Sequence, residues 1–286
     1  MALEQRHSVR IPAGQLGYRE TGSGVPVLLL HGLVANGQVW RHVAAALSQD
    51  VRCIAPDLPM GSHSPALPDA DLSLHGQARI VIDLADALGL AEFVVIGNGY
   101  GGDIAQVLAT RYPGRVRALV LIATNAFDSD PWPTRALRLL LKMPGSRLMA
   151  SLSPRSRFLQ RLPLTYGWAA KRPIPSEIMD AYLRPLARDH QVADDFRRFL
   201  DSLSPASLAE VSPLLAHYPH PALVVWPTED RVFPADGARR LAETIPNARW
   251  TSVPDSYSWV PEDQPEVLAG LLGEFLRSHG FTTQNR

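Results

Sequence analysis

The segment that most constrains the fold is residues 94–102, with the sequence VVIGNGYGG. Its β-branched start is typical of a buried strand, and the glycines are followed by apolar residues at helical spacing, Ile104, Val107 and Leu108. Glycines between two such segments favour a sharp turn, because glycine adopts positive φ and lets neighbouring backbones approach closely. The sequence therefore predicts a strand, a tight turn at Gly99 and a helix.

Short aliphatic runs alternate with helix-spaced segments on both sides of this turn. Such alternation is typical of an α/β fold with a mostly parallel, doubly wound sheet. We expect eight strands, at residues 7–11, 16–20, 25–30, 51–55, 93–96, 118–122, 222–226 and 249–253. The first two are expected to form a hairpin. Helices are predicted at residues 38–47, 72–88, 100–111, 235–244 and 265–279.

The pattern changes between residues 128 and 210. Strand-like runs stop, and proline and arginine are interspersed with helical stretches at residues 135–142, 156–162, 177–188 and 194–203. Because strands resume afterwards, we interpret residues 128–210 as a helical insertion after the sixth strand. Residues 1–127 and 211–286 are then the core.

Composition limits the classes of partner. The chain has 286 residues, of which 46% are hydrophobic, enough for a sizeable core. Its formal net charge of +0 gives no indication of a nucleic-acid partner. The single cysteine, Cys53, excludes an internal disulfide and is consistent with a reducing compartment. The first ten residues lack the apolar core of a signal peptide, and no apolar run is long enough for a membrane span. We expect a cytoplasmic protein, with homodimer formation left open.

Five motifs occur in an order that resembles the α/β-hydrolase superfamily. They are LLLHG at residues 28–32, PDLP at 56–59, the glycine frame at 97–102, WPTEDRVFP at 226–234, and VPDSYSWVPEDQPE at 253–266. The pattern is most similar to the branch that contains haloalkane dehalogenases and epoxide hydrolases. This resemblance implies the α/β-hydrolase fold, with residues 128–210 as a helical cap over the site.

The resemblance also implies site positions. Gly99 stands at the nucleophile position, Asp230 at the catalytic acid and Ser258 where a histidine is usual. The backbone N–H groups of Leu33 and Tyr100 are expected to form an oxyanion hole. Neither a Ser-His-Asp route nor an Asp-nucleophile route has its residues at these positions. The usual covalent chemistry is therefore not predicted.

Three functions stay open. The first is a repurposed enzyme that isomerises, cyclises, eliminates or adds water, with Leu33 and Tyr100 holding a carbonyl oxygen and Asp230 moving protons. The second is a ligand-binding pseudoenzyme, in which Asp230 only caps its own loop or pairs with Arg231. The third is a hydrolase that uses unrecognised residues. A small apolar organic molecule is the expected substrate or ligand, and no cofactor is expected.

Further residues are candidates for this pocket. Asn98 and Tyr100 flank the turn, and Tyr100 is expected either to donate to a bound oxygen or to pack under the cap. His63 is the one candidate for a substitute base. His31 and Trp259 are candidates for substrate contact because they lie in the site motifs.

Several other residues have simpler interpretations. Asp103 is expected to interact with the dipole of its helix, and Asn125 lies where some relatives place an alternative acid but is an amide. His217 and His220 flank a proline-rich turn rather than a zinc site. Aromatic side chains are expected to line the cap, namely Trp132, Phe158, Tyr166, Trp168 and Tyr182.

Overall fold

Eight strands form a single sheet in this computed structural model, which describes residue 3 and residues 5–129, 131–141 and 166–282. Their order across the sheet is β1-β2-β4-β3-β5-β6-β7-β8. Strand β2 pairs antiparallel with β1 and β4, and the other neighbours pair in parallel. The predicted fold class is therefore confirmed. The strands are β1 (Arg6–Ile11), β2 (Gly14–Thr21), β3 (Pro26–Leu30), β4 (Arg52–Pro56), β5 (Phe93–Asn98), β6 (Val116–Ile122), β7 (Ala222–Pro227) and β8 (Ala248–Val253).

The sheet is covered on both faces, which explains why its strands are aliphatic rather than alternating. On β3, Leu28 and Leu30 pack into one buried cluster, whereas Val27 and Leu29 pack into the other. Helices α2 (Leu74–Ala87) and α3 (Tyr100–Arg111) cover the first face. Helices α1 (Arg41–Leu47) and α11 (Pro265–Ser278) cover the second.

Cys53 lies in the second cluster and is buried, and this burial raises the pKa of its thiol to about 12. The helix expected at residues 38–47 is divided. A 3-10 helix, Gly37–Trp40, precedes α1. The Asn36 side chain accepts a hydrogen bond from the N–H of Gln38 at its start.

The described part of the segment between β6 and β7 is helical. It contains α4 (Trp132–Leu141), α5 (Tyr166–Ala169), α6 (Ser176–Arg188), α7 (His190–Ser202) and α8 (Pro205–Val211), followed by a 3-10 helix, Ser212–His217. After β7 come α9 (Ala235–Thr244) and α10 (Val260–Asp263). The helix predicted at residues 156–162, and with it Phe158, lies outside the described residues. The division into core and cap at residues 128 and 210 stays a prediction.

The inserted helices contact the loops that follow β3 and β4. Ser62 donates from Oγ to the carbonyl of Tyr182 at 2.6 Å, and the hydroxyl of Tyr166 donates to the carbonyl of Val34 at 2.7 Å. Because β3 and β4 are parallel, both loops lie at the same edge of the sheet. The insertion therefore lies beside the edge to which the Gly99 turn belongs. Within the described ranges, no helix has the length and apolar character needed to cross a membrane.

Candidate functional site

The turn between β5 and α3 is built by close backbone approach. A Cβ atom on Gly97 would lie 2.3 Å from the carbonyl oxygen of Gly101, and one on Gly101 would lie 2.2 Å from that of Leu30. Glycine is therefore required at both positions. Gly99, at the apex, has a φ of 58° and a ψ of −127°, a conformation that strains any residue with a side chain.

Although the backbone conformation of Gly99 would strain a residue with a side chain, the space around Gly99 is not crowded. A Cβ on Gly99 would make only ordinary contacts, 3.7 Å from Cα of Gly32 and 3.8 Å from Cζ of Phe233. The position therefore has room for a side chain, although glycine has none. The nearly buried ring of Phe233 forms one wall of this space and packs edge-on to Tyr100, with ring centroids 6.4 Å apart. Sequence reasoning missed Phe233, whose only signal is an aromatic residue in the Asp230 motif.

Asp230 holds its own loop through one carboxylate oxygen. Its Oδ1 accepts hydrogen bonds from the N–H of Val232 at 2.7 Å, the N–H of Phe233 at 2.9 Å and Oγ of Ser258 at 2.8 Å. Its Oδ2 is buried and has no partner among the described residues. Burial raises the pKa of Asp230 above its ordinary value, and the hydrogen bonds on Oδ1 oppose that rise only in part.

Asn98 connects the turn to the Ser258 segment. Its side-chain amide donates to the carbonyl of Ser258 at 2.8 Å and to the carbonyl of Ile122 at 3.1 Å. Because Asn98 immediately precedes Gly99, these bonds fix Ser258 beside the turn. The structure therefore brings Gly99, Asp230 and Ser258 together, and the amide of Asn98 is committed to backbone carbonyls.

The loop after β3 runs directly over the turn. A Cβ on Gly32 would lie 3.9 Å from both Cα of Gly99 and the backbone N of Tyr100. Leu33 follows Gly32 and is only partly buried. The backbone of this loop therefore lies next to the first turn of α3, where helix N–H groups carry partial positive charge.

His31 orders this loop. Its Nε2 accepts from the N–H of Leu58 at 2.8 Å, and its Nδ1 lies 2.8 Å from the carbonyl of Gly32. An acceptor nitrogen must be unprotonated, so Nδ1 carries the proton and the ring is neutral. Burial lowers the pKa of His31 to about 4. Neither ring nitrogen is left for a substrate.

His63 is paired with an inserted helix rather than with the turn. Its Nε2 lies 3.1 Å from Oδ2 of Asp195, which also accepts from the N–H of Leu67 at 2.6 Å. His63 Nδ1 is buried without a partner among the described residues. No contact found in the described chain joins His63 to Asp230 or Ser258.

Tyr100 and Trp259 contact the inserted helices. The hydroxyl of Tyr100 donates to Oγ1 of Thr134 at 2.8 Å, which favours the packing interpretation of Tyr100. The ring of Trp259 packs edge-on against Tyr166 and Tyr182, with centroids 5.2 and 5.8 Å apart. These rings supply an apolar wall near Ser258. Two other expected cap aromatics, Trp132 and Trp168, pack on each other, and Trp132 is half exposed.

An ionic network that sequence reasoning missed supports this wall. Glu262 forms two hydrogen bonds with Arg41, at 2.7 and 2.9 Å, and accepts from the hydroxyl of Tyr182 at 2.9 Å. The Glu262 side chain is almost buried. A paired charge of this kind orders the aromatic rings that it contacts.

Asp103 does more than interact with a helix dipole. It accepts hydrogen bonds from Oγ1 of Thr124 at 2.6 Å and from Nδ2 of Asn125 at 2.7 Å. Burial raises the pKa of Asp103 to about 6. Both partners follow β6, so Asp103 anchors the loop beside the turn, and Asn125 serves as its donor. Among the described residues, no group of three or more potential ligand side chains could hold a metal ion.

Comparisons with known proteins agree with the observed fold. A family model described as the alpha/beta hydrolase fold matches residues 25–265. The chain is 26% identical over 271 residues to haloalkane dehalogenase 2 of Mycobacterium bovis, covering 91% of each protein. It is 28% identical over 280 residues to a 2-hydroxy-6-oxononadienedioate/2-hydroxy-6-oxononatrienedioate hydrolase of Dechloromonas aromatica, covering 94% of each. Haloalkane dehalogenase DbeA from Bradyrhizobium elkani has the same fold, with a TM-score of 0.76, 23% identity and coverage of 96% of this chain and 99% of that one.

Proposed function

Because the chain belongs to the α/β-hydrolase fold family, we propose that its pocket binds a small organic carbonyl compound and moves protons on it without a covalent intermediate. The family membership and the dehalogenase relatives confirm the resemblance predicted from the motifs. The relatives named above are hydrolases, which supports an enzyme. The residues at this chain's own site favour a different reaction.

The observation that carries the proposal is the state of Asp230. One oxygen of its carboxyl group is held by three donors, whereas Oδ2 is buried without a partner among the described residues. A buried polar atom without a partner costs about 1–3 kcal/mol, and a catalytic role is one explanation for such an atom in a native structure. Burial also raises the pKa of Asp230, and a carboxyl group whose pKa is shifted by burial is a candidate acid or base.

Gly99 and Ser258 support chemistry without a covalent intermediate. Gly99 has no side chain to attack a substrate. The hydroxyl of Ser258 donates to Asp230 and cannot replace an imidazole as a base. Proton transfer by Asp230 needs neither group as a nucleophile.

The backbone around Gly99 supports a carbonyl substrate. In the proposal, the N–H groups of Leu33 and Tyr100 hold the substrate oxygen at the start of α3. Partial positive charge at a helix start stabilises the negative charge that develops on an enolate oxygen. With Asp230 as acid or base, the pocket would isomerise a carbonyl compound or add water to it. Phe233 and Trp259 would pack against the apolar part of the substrate.

One observation favours an alternative function, ligand binding without catalysis. The ring of Phe233 lies 3.8 Å from the place of a Gly99 Cβ, so it narrows the space in which a substrate would react. In this alternative Asp230 only caps its own loop. The third candidate, a hydrolase with unrecognised residues, would need a nucleophile outside the Gly99 position.

Product analysis distinguishes the three candidates. Purified protein is incubated with a panel of small ketones and enones, products are followed by NMR, and ligand binding is followed by calorimetry. We expect product from the wild type and from Asp236→Asn, an exposed control at the start of α9, but not from Asp230→Asn. Saturable binding without product would support the alternative of binding alone. Labelling by a fluorophosphonate probe would support the hydrolase. Either result would contradict the proposal.

A further inference from the structure

A cavity of about 480 Å³ lies beside the candidate site. It opens between residues 166–175 and the segments that carry Arg231 and Tyr257, and we call it the basic cleft. Its volume is within the range of about 300–1,000 Å³ that is typical of small-molecule sites. Neither Gly99 nor Asp230 lines it, so it is distinct from the space above the turn.

Among the described residues that line the basic cleft, every charged side chain is a cation, namely Lys171, Arg172 or Arg231. Two of these are neutralised by carboxylates that do not line the cleft. Lys171 Nζ lies 2.7 Å from a carboxylate oxygen of Glu229 and 2.7 Å from one of Asp255. Arg172 also pairs with Asp255, at 3.3 Å. The charge of these two cations is therefore already balanced.

Arg231 is different, because no carboxylate among the described residues pairs with it. Its guanidinium carbon lies 3.9 Å from the centroid of the Tyr257 ring. When a guanidinium stacks on a ring through its face, its N–H edge stays available for two parallel hydrogen bonds to a carboxylate. The ring thus holds one uncompensated cation at the wall of the cavity.

The remaining walls of the basic cleft are largely apolar. Ile174 and the ring of Tyr166 contribute to them, and the fully buried side chain of Met179 lies next to these walls. An inorganic anion would leave this surface unused, and a polyphosphate would need more than one uncompensated cation. A ligand that matches both features carries one carboxylate and a small apolar body.

We propose that the basic cleft binds an organic carboxylate, with the carboxylate on Arg231 and the apolar body against Ile174 and the ring of Tyr166. The ligand would touch the residue after Asp230 and the residue before Ser258. It would therefore contact both segments that the Ser258–Asp230 hydrogen bond joins. The proposal does not depend on the reaction proposed for Gly99 and Asp230, since neither lines the cleft.

Benzoate is the probe, and benzamide is its neutral counterpart. Titration is followed by NMR of isotope-labelled isoleucine and methionine methyl groups at low salt. We expect saturable shifts at Ile174 and Met179 with benzoate and much weaker ones with benzamide. Arg231→Gln should weaken benzoate binding about tenfold or more, because it removes a charge-assisted bidentate contact.

Arg240→Gln is the matched control. Its guanidinium also stacks on an aromatic ring, 3.7 Å from the centroid of Phe127, but does not line the basic cleft. We expect this variant to bind benzoate like the wild type. Equal affinity of wild type and Arg231→Gln, equal binding of benzamide and benzoate, or no saturable shift at Ile174 would overturn the proposal.

Discussion

Ser258 donates a hydrogen bond from Oγ to Oδ1 of Asp230 across 2.8 Å. In the family that the motifs resemble, a histidine at this position would connect the acid to a nucleophile. A serine side chain is too short to extend past the acid toward Gly99. No side chain therefore links Asp230 to the nucleophile position through Ser258. Of the two carboxylate oxygens of Asp230, Oδ2 is the one without a donor among the described residues.

Gly99→Ser is expected to destabilise the protein without creating a hydrolase. The φ of 58° and ψ of −127° cost a residue with a Cβ about 1–3 kcal/mol, whereas the space itself admits a side chain. No base contacts the new hydroxyl, so hydrolysis of nitrophenyl acetate should stay at the background rate. Urea unfolding measures the loss of stability.

Gly89→Ser is the control for Gly99→Ser. Gly89 has a similar φ of 68°, and a Cβ there would meet nothing within 4 Å. Both variants should lose stability, and Gly89→Ser should hydrolyse nitrophenyl acetate at the background rate. Hydrolysis that appears in Gly99→Ser alone would show that a base reaches the turn, against the account given above.

Asp230→Asn is expected to be at least as stable as the wild type at neutral pH. The pKa of Asp230 is raised in the folded state, so ionisation is less favourable there than in the unfolded chain. The contribution of Asp230 to wild-type stability is then fully present below the unfolded pKa of about 3.9 and is lost as pH rises through the folded pKa. Urea unfolding of both proteins across this range measures the difference. Residues retained for function often lower the stability of the folded protein. Marked destabilisation of Asp230→Asn at neutral pH would instead indicate that the Asp230 carboxylate has a structural role.

The fold was predictable because its signals are local. Aliphatic runs such as residues 25–30 identify strands that are buried on both faces, and α3 and α9 begin and end where the apolar spacing does. The positive φ of Gly99 followed from the glycines around it. These features depend on a few neighbouring residues and not on distant contacts.

The site was predictable only in part, because its other contacts join distant segments. His63 and Asp195 are 132 residues apart, and Tyr182 and Glu262 are 80 apart. No local pattern indicates which buried acid will meet which partner. The placement of Phe233 over Gly99 likewise depends on how the loop after β7 folds back across the turn.

Asp195→Asn is expected to loosen the contact between α7 and the loop after β4. Burial alone would raise the pKa of Asp195, but hydrogen bonds from His63 and from the N–H of Leu67 outweigh it and lower that pKa. The carboxylate therefore stabilises the fold above its unfolded pKa, and that contribution is lost as pH falls through the folded value. We expect the variant to lose about 1–3 kcal/mol at neutral pH, and less in acid. The neighbouring Asp194→Asn, at an exposed pair with Arg197, should change stability little at any pH. Equal effects of the two variants would contradict this assignment.

Hydrogen exchange at carbon next to a carbonyl tests the central claim most directly. Small ketones are incubated with protein in D₂O, and loss of the α-proton signal is followed by ¹H NMR for wild type, Asp230→Asn, Ser258→Ala and Asp236→Asn. We predict exchange with the wild type and with Asp236→Asn, and no exchange above background with Asp230→Asn. Ser258→Ala should exchange with an altered pH dependence, because Asp230 loses a hydrogen bond that lowers its pKa. Exchange that persists unchanged in Asp230→Asn, or that is absent from the wild type, would contradict Asp230 as the proton-transfer group.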